Sequence, residues 1–266
     1  MYEFLDPKRV NIFYAYLAIA FGLFSVIFAV YEGIAITNEY FQSLNNGELT
    51  IPETSTLFNQ PTEQIPMFFS VAGLIGFIVS LLSFLFQSLC NYQWAKVLNR
   101  NIYKTNQLLS DMMNKTDDQD ILYDFHWMSD KLNALWIQQW AFFGYIAISL
   151  LGTLFNSMPL IFSLVGFIFL SYYLSQIFKV SNELLTIKSQ FYSFYLKDHY
   201  HEGLEYIIPY RNILIFFLLS VLTVGIYWYY LLFKLSIEIN LFLDYDEKLM
   251  AQLPDSPLLK EVEREH

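Results

Sequence analysis

The stretch RNILIFFLLSVLTVGIYWYYLLFKLSIEIN, residues 211–240, decides the fold of this chain. An apolar run is interrupted by Thr223-Val-Gly225, an aromatic cluster follows, and Lys234 opens a polar, amphipathic tail. An uncharged run of this length is typical of a segment that enters a lipid bilayer. Two weaker versions of the same pattern lie upstream, and we interpret the whole chain as organised around these three segments.

The composition indicates a membrane protein. Of 266 residues, 55% are hydrophobic and only 15% are charged, whereas a soluble domain carries about 25% charged residues. The apolar residues come in long runs without helical periodicity, so they predict burial in lipid. The net charge of −10 and the lack of a basic stripe exclude nucleic acid as a partner.

The apolar runs predict an all-α polytopic protein with four transmembrane helices near residues 11–35, 67–90, 136–155 and 160–178. A fifth hydrophobic segment, residues 212–233, is either a re-entrant hairpin or a fifth helix. The uncharged run from Val10 to Tyr31 is longer than the roughly 7–15 apolar residues of a signal peptide, so we interpret it as a retained helix.

Three amphipathic segments continue from the apolar ones, at residues 96–135, 179–203 and 235–253. Their apolar residues recur at helical spacing, with Asp246 as a polar exception on the last apolar face. We expect these segments to extend the membrane helices into a cytosolic bundle. Their faces are apolar enough to pack on one another, on a protein partner or on a second copy of the chain.

The segments form an internal repeat with units at residues 9–130, 131–210 and 211–253, within a single integral membrane domain of residues 1–266. Each unit ends with aromatic residues, one lysine and an amphipathic helix, as in Ile177-Phe178-Lys179 and Leu232-Phe233-Lys234. Aromatic residues favour the membrane–water interface and lysine favours its cytosolic flank. Each unit is therefore predicted to leave the cytosol and return to it. The last residues, 254–266, are predicted to be a flexible tail.

The distribution of charge predicts the topology. All 15 Lys and Arg residues lie in segments 1–10, 91–134, 179–211 and 234–266. The polar loop at residues 38–66 has none. The positive-inside rule therefore predicts a protein of the cell membrane with a cytoplasmic N-terminus and an external loop at residues 38–66. If residues 212–233 re-enter the membrane on their own side, every basic residue is cytosolic.

The opening stretch also resembles a family of small, uncharacterised prokaryotic membrane domains. The resemblance rests on Arg211-Asn-Ile213, on Thr223-Val-Gly225-Ile-Tyr227-Trp228 and on Lys234 and Asn240. The family usually has a further Gly-Ile-Tyr before its Trp, which this chain lacks. The resemblance covers residues 211–240 only, and it implies a membrane domain without implying an activity.

Candidate chemistry is sparse. His199 and His201, with Asp198 and Glu202, have the residue types of a metal site, but no second cluster with ligand spacing accompanies them. We interpret the acidic patch of Asp117, Asp118, Asp120, Asp124, His126 and Asp130 as a solvated face, and the lone Cys90 as a small buried hydrophobe. The sequence therefore predicts no catalytic, cofactor-binding or metal-binding residue.

The cores of the apolar segments contain no buried carboxylate or histidine relay for coupled transport. The leading functional interpretation is a non-catalytic subunit, scaffold or assembly partner in a membrane complex. The alternative is a channel or an uncoupled permease for a small solute. A membrane enzyme comes third.

Overall fold

A computed structural model describes residues 7–45, 71–154, 159–196, 204–223 and 225–253 of the chain. These residues are almost entirely helical, and they contain no strand. The helices are α1 Ile12–Asn45, α2 Val71–Met113, α3 Gln119–Ala134, α4 Gln139–Leu154, α5 Pro159–Leu196, α6 Ile213–Leu222 and α7 Ile226–Met250, with a 3₁₀ turn at Leu204–Tyr206. The prediction of an all-helical chain is confirmed for the part described.

Five stretches are long and apolar enough to cross a membrane, judged by length and composition: Ile12–Ala35, Gly73–Met113, Gln119–Gly152, Ile161–Phe194 and Ile226–Met250. A sixth apolar helix, α6, has only 10 residues. The first helix is longer than predicted, because α1 continues to Asn45 through the start of the predicted loop at residues 38–66. The remainder of that loop, from residue 46, and the predicted tail at residues 254–266 lie outside the described residues.

By its internal contacts the chain divides into two compact units. Residues 16–87 form one unit, a helical hairpin of α1 and α2. In this hairpin the Ser83 hydroxyl donates a hydrogen bond of 2.8 Å to the Ala18 carbonyl. The rings of Phe21 and Phe86 stack with their centroids 5.7 Å apart. Gly76 faces the side chain of Phe28, where an added Cβ would lie 3.1 Å from the Phe28 Cβ.

The second unit combines Met1–Ala15 with Ser88–His266, and it contains the α4–α5 hairpin. Two glycines of α4 allow the close approach of these helices. A Cβ at Gly144 would lie 2.6 Å from the ring of Phe169, and one at Gly152 would lie 3.1 Å from Phe162. Small residues at such positions are typical of helices that pack closely in lipid.

Helices α6 and α7 form a second, shorter hairpin in this unit. Gly225 joins them with a φ of +85°, a left-handed conformation that favours glycine over residues with a side chain. Because the chain reverses there, the ring of Phe216 lies 5.9 Å from Tyr227 and 5.8 Å from Trp228. The break predicted at Thr223-Val-Gly225 is therefore present, and it reverses the direction of the chain.

Three backbone donors at the turn between α6 and α7 are paired, those of Gly225, Ile226 and Tyr227. The Gly225 N–H donates to the Ser220 carbonyl at 2.7 Å, and the Ile226 N–H donates to the Thr223 carbonyl at 3.1 Å. The Thr223 hydroxyl oxygen accepts from the Tyr227 N–H at 2.9 Å. A turn with its N–H groups paired in this way tolerates an apolar environment.

The C-terminal parts of the long helices pack with α3 into a cluster that we call the helix-end bundle, made of residues 91–113, 119–134, 179–196 and 234–250. Its core consists of fully buried apolar side chains, among them Leu98, Ile102, Leu109, Phe125, Leu132, Leu184, Phe191, Leu235, Ile239 and Phe242. These are the apolar faces that the helical spacing predicts. Asn99 fixes the chain after α3, because its side chain accepts from the Ile137 N–H and donates to the Ile137 carbonyl, both at 3.0 Å.

Candidate functional site

A buried charge cluster lies at the centre of the helix-end bundle. Lys188 of α5 forms an ion pair with Asp246 of α7, and their side chains are only 1% and 3% exposed. Removing two charges from water costs several kcal/mol for each ion. Such a pair persists only where its geometry is good and where further hydrogen bonds satisfy the remaining polar atoms.

Further hydrogen bonds satisfy Asp246. The Tyr192 hydroxyl donates to Asp246 Oδ1 at 2.7 Å, and Asn101 Nδ2 donates to Asp246 Oδ2 at 2.9 Å. The Lys188 ammonium also lies 5.6 Å from the centroid of the Phe242 ring, a distance that allows a cation–π interaction. The cluster therefore joins α2, α5 and α7 through buried groups.

A second buried polar contact joins α2 and α7. The Ser236 hydroxyl accepts a hydrogen bond of 2.9 Å from Trp94 Nε1 and donates one of 2.6 Å to the Leu232 carbonyl. The thiol of Cys90 lies 3.1 Å from the same hydroxyl. Cys90 is fully buried, which confirms the prediction for this residue.

The segment before α1 is attached to α7 by an arrangement that we call the N-terminal clamp. The side-chain amide of Asn240 accepts from the Val10 N–H at 2.9 Å and donates to the Val10 carbonyl at 2.7 Å. Arg9 forms ion pairs with Asp244 at 2.6 Å and Glu247 at 3.0 Å. The beginning of the first helix is thus held against the last one.

The segment before α6 is attached to the same helix. Arg211 forms an ion pair with Glu238, whose side chain is 4% exposed, and Lys234 lies 3.8 Å from the same carboxylate. Asn212 caps α6 by accepting from the Leu214 N–H at 2.8 Å. The entry to α6 is therefore fixed beside the part of α7 that belongs to the helix-end bundle.

An open groove of about 600 Å³ lies on the bundle between α3 and α5. It is lined by Tyr123, Asp124, Trp127, Met128, Gln190, Ser193 and Phe194. We call it the α3–α5 groove. A second cavity of about 440 Å³ lies between α4 and α5, and its lining is mostly apolar.

The predicted acidic patch lies on and just before α3. All six of its side chains are exposed, as expected for a solvated face. Asp118 caps the helix by accepting from the Asp120 N–H at 3.0 Å. Within the described ranges no three His, Cys, Asp or Glu residues are arranged to hold a metal ion. His199 and His201 lie outside those ranges.

The geometry favours two different roles for these features. The buried charge cluster lies in the core of the helix-end bundle, and its polar contacts hold three helices together. The α3–α5 groove is open and combines aromatic, polar and acidic groups, so it has the chemistry of a binding surface. No family model, curated protein or solved structure matches the chain. The resemblance of residues 211–240 to a membrane-domain family stays a prediction.

Proposed function

We propose that this protein is a non-catalytic subunit or scaffold of a membrane complex and that it holds a partner through the helix-end bundle. The observation that carries the proposal is the exposure of aromatic side chains on this bundle. Tyr123 is 73% exposed, Tyr103 58% and Trp127 40%. Tyrosine and tryptophan are enriched at protein–protein interfaces, where they bury a large area.

We further propose that α6 and the first turns of α7 form a re-entrant hairpin. Helix α6 has 10 residues and rises about 15 Å, roughly half the thickness of the hydrocarbon core. The ion pair of Arg211 with Glu238 supports this topology, because it attaches the entry of the hairpin to the helix that leaves it. The paired N–H groups of the turn at Gly225 support it as well.

The N-terminal clamp supports a topology in which the residues before α1 and the end of α7 lie on the same side of the bilayer. The direct contacts of Arg9 and Val10 with α7 support a topology in which the segment before the first helix and the helix-end bundle lie on one side of the bilayer. The positive-inside rule makes that side cytoplasmic. All of the basic segments then lie in the cytosol.

Cysteine labelling tests this topology. In a Cys90→Ser background, a single cysteine at the exposed position Gln252 is expected to react with an impermeant maleimide only after the cells are permeabilised. The matched control is a cysteine at the exposed position Asn38, which is expected to react in intact cells. Reaction of the Gln252→Cys variant in intact cells would mean that α7 crosses to the outside.

Purification in a mild detergent tests the proposed function. We expect the tagged protein to co-purify with a partner at a fixed stoichiometry, identified by mass spectrometry. Replacing Tyr123 and Trp127 together with alanine is expected to reduce the recovery of that partner about tenfold, which corresponds to about 1.4 kcal/mol of binding free energy. Replacing the exposed Tyr206, which lies outside the bundle, serves as the control. A protein that elutes as a lone monomer under these conditions would contradict the proposal.

The alternative function, a channel or uncoupled permease, receives no comparable support. The cavity between the apolar parts of α4 and α5 is lined mainly by side chains such as Ile148, Phe162, Phe167 and Leu170. A solute pathway needs polar groups that replace water around the solute. We therefore retain the scaffold as the proposed function.

A further inference from the structure

We propose that the α3–α5 groove binds a cationic amphipathic helix of a partner protein. This inference rests on the proposed function, because it gives the scaffold a binding site and its partner a chemistry. It depends on four properties of the groove: a fixed shape, aromatic walls, acidic surroundings and a size that suits one face of a helix.

The shape of the groove is fixed by packing beneath it. The ring of Phe125, on the buried face of α3, lies 6.2 Å from the ring of Phe191 and 6.0 Å from that of Phe194. Phe125 and Phe191 are both 1% exposed. Helix α3 is therefore held against α5, so a ligand meets a groove that is already formed. Preformed sites avoid much of the entropic cost of ordering their own side chains.

The walls of the groove offer aromatic surface that already accommodates a cation. Tyr123 and Trp127 are one helical turn apart on α3 and are both exposed. The Lys131 ammonium lies 3.8 Å from the centroid of the Trp127 ring, a geometry that favours a cation–π interaction. A lysine or arginine from a partner would displace Lys131 from this ring or stack on the exposed ring of Tyr123, and either aromatic surface suits its aliphatic stem.

The surround of the groove is acidic. Asp124 lines it directly. Residues 111–131 contain six aspartates and only two lysines, and most of the carboxylates are exposed. The aspartates are Asp111, Asp117, Asp118, Asp120, Asp124 and Asp130, and the lysines are Lys115 and Lys131. Charge complementarity therefore favours a cationic occupant. An apolar but acidic segment is disfavoured, and the chain's own residues 254–266 are acidic overall.

The size of the groove matches one face of a helix. A volume of about 600 Å³ accommodates only a few large side chains, such as those that a helix presents at positions i, i+3 and i+4. Apolar residues at these positions would contact Phe194 and Met128. Flanking basic residues would contact Asp124 and the acidic residues near it.

The test uses the full-length protein in a neutral detergent and a labelled amphipathic peptide of about 18 leucine and lysine residues, read by fluorescence anisotropy. The control is a peptide of the same length and pattern with glutamate in place of lysine. The neutral detergent adds no anionic headgroup that would attract the cationic peptide. We expect the cationic peptide to bind with a Kd of about 10 μM, weakening with salt, and the acidic peptide to bind at least tenfold more weakly.

Variants of residues that line the groove test whether the cationic peptide binds there. Asp124→Lys and Trp127→Ala are each expected to weaken binding of the cationic peptide about tenfold. The matched control is Asp130→Lys, which makes the same charge change on the same helix outside the groove lining, and it is expected to weaken binding less than about threefold. Circular dichroism of each variant confirms that the fold is retained.

Equal losses for Asp124→Lys and Asp130→Lys would overturn the assignment to the groove, because they would indicate a general effect of net charge. Equal binding of the two peptides, or no binding of the cationic one, would overturn the proposed partner chemistry. Neither result bears on the purification experiment above, because co-purification of a partner does not depend on peptide binding. Conversely, peptide binding by a protein that purifies without any partner would contradict the scaffold function and leave the chemistry of the groove intact.

Discussion

Replacing Asp246 with alanine is expected to lower the Tm of the detergent-solubilised protein by roughly 10 °C or more, corresponding to a loss of about 3–5 kcal/mol. The substitution leaves the ammonium of Lys188 buried without its counter-ion, and it also removes the acceptor for Tyr192 and Asn101. Thermal unfolding followed by circular dichroism provides the measurement.

A double replacement separates the ion pair from the packing around it. In the variant Lys188→Met with Asp246→Leu, both charges are replaced by apolar side chains of similar volume, so no unpaired charge remains. We expect this variant to recover most of the stability lost in Asp246→Ala. If the double variant is as unstable as the single one, the hydrogen bonds from Tyr192 and Asn101 contribute more than the ion pair.

The second large effect is expected at Phe191. Phe191→Asp places a carboxylate in an apolar core beside Phe125 and Tyr192. Burying an unpaired charge costs several kcal/mol, so we expect this variant to unfold at a much lower temperature or to fail to accumulate. Expression level and thermal unfolding in detergent provide the measurement.

The control for Phe191→Asp is Thr186→Asp, which introduces the same charge at an exposed position of α5. Its Tm is expected to change by no more than a few degrees. An unchanged Tm in Phe191→Asp would mean that α3 does not cover this face in solution. In that case the α3–α5 groove would not exist as described.

The sequence was sufficient to predict the features that depend on long apolar runs and on helical spacing. The all-helical class, the break at Gly225 and the buried faces of the helix-end bundle follow from patterns within single segments. The continuation of residues 160–178 into the amphipathic segment that follows was also predicted, and α5 extends without interruption from Pro159 to Leu196. The extension of α1 to Asn45 was missed, because a cluster of polar residues suggested a loop.

The contacts between distant segments could not be predicted from such patterns. Asp246 stood out as a polar residue on an apolar face, but Lys188, which interrupts the matching face of α5, was not recognised. Each of these two charged residues interrupts an apolar helix face, and their opposite charges are the signal that could have predicted the ion pair. The attachments of Asn240 to Val10 and of Arg211 to Glu238 carry no local signal, because each depends on how helices far apart in sequence pack together.

The N-terminal clamp also has a consequence for the order in which the protein matures at the ribosome. Val10 and Asn240 are separated by 230 positions. At a synthesis rate of about 10 residues per second, roughly 20 s pass before the second of them is made. During that interval the start of α1 is made but lacks its contacts with α7. The contacts that hold the earliest segment can therefore form only after α7 has been made, and a chain that stalls before α7 lacks them.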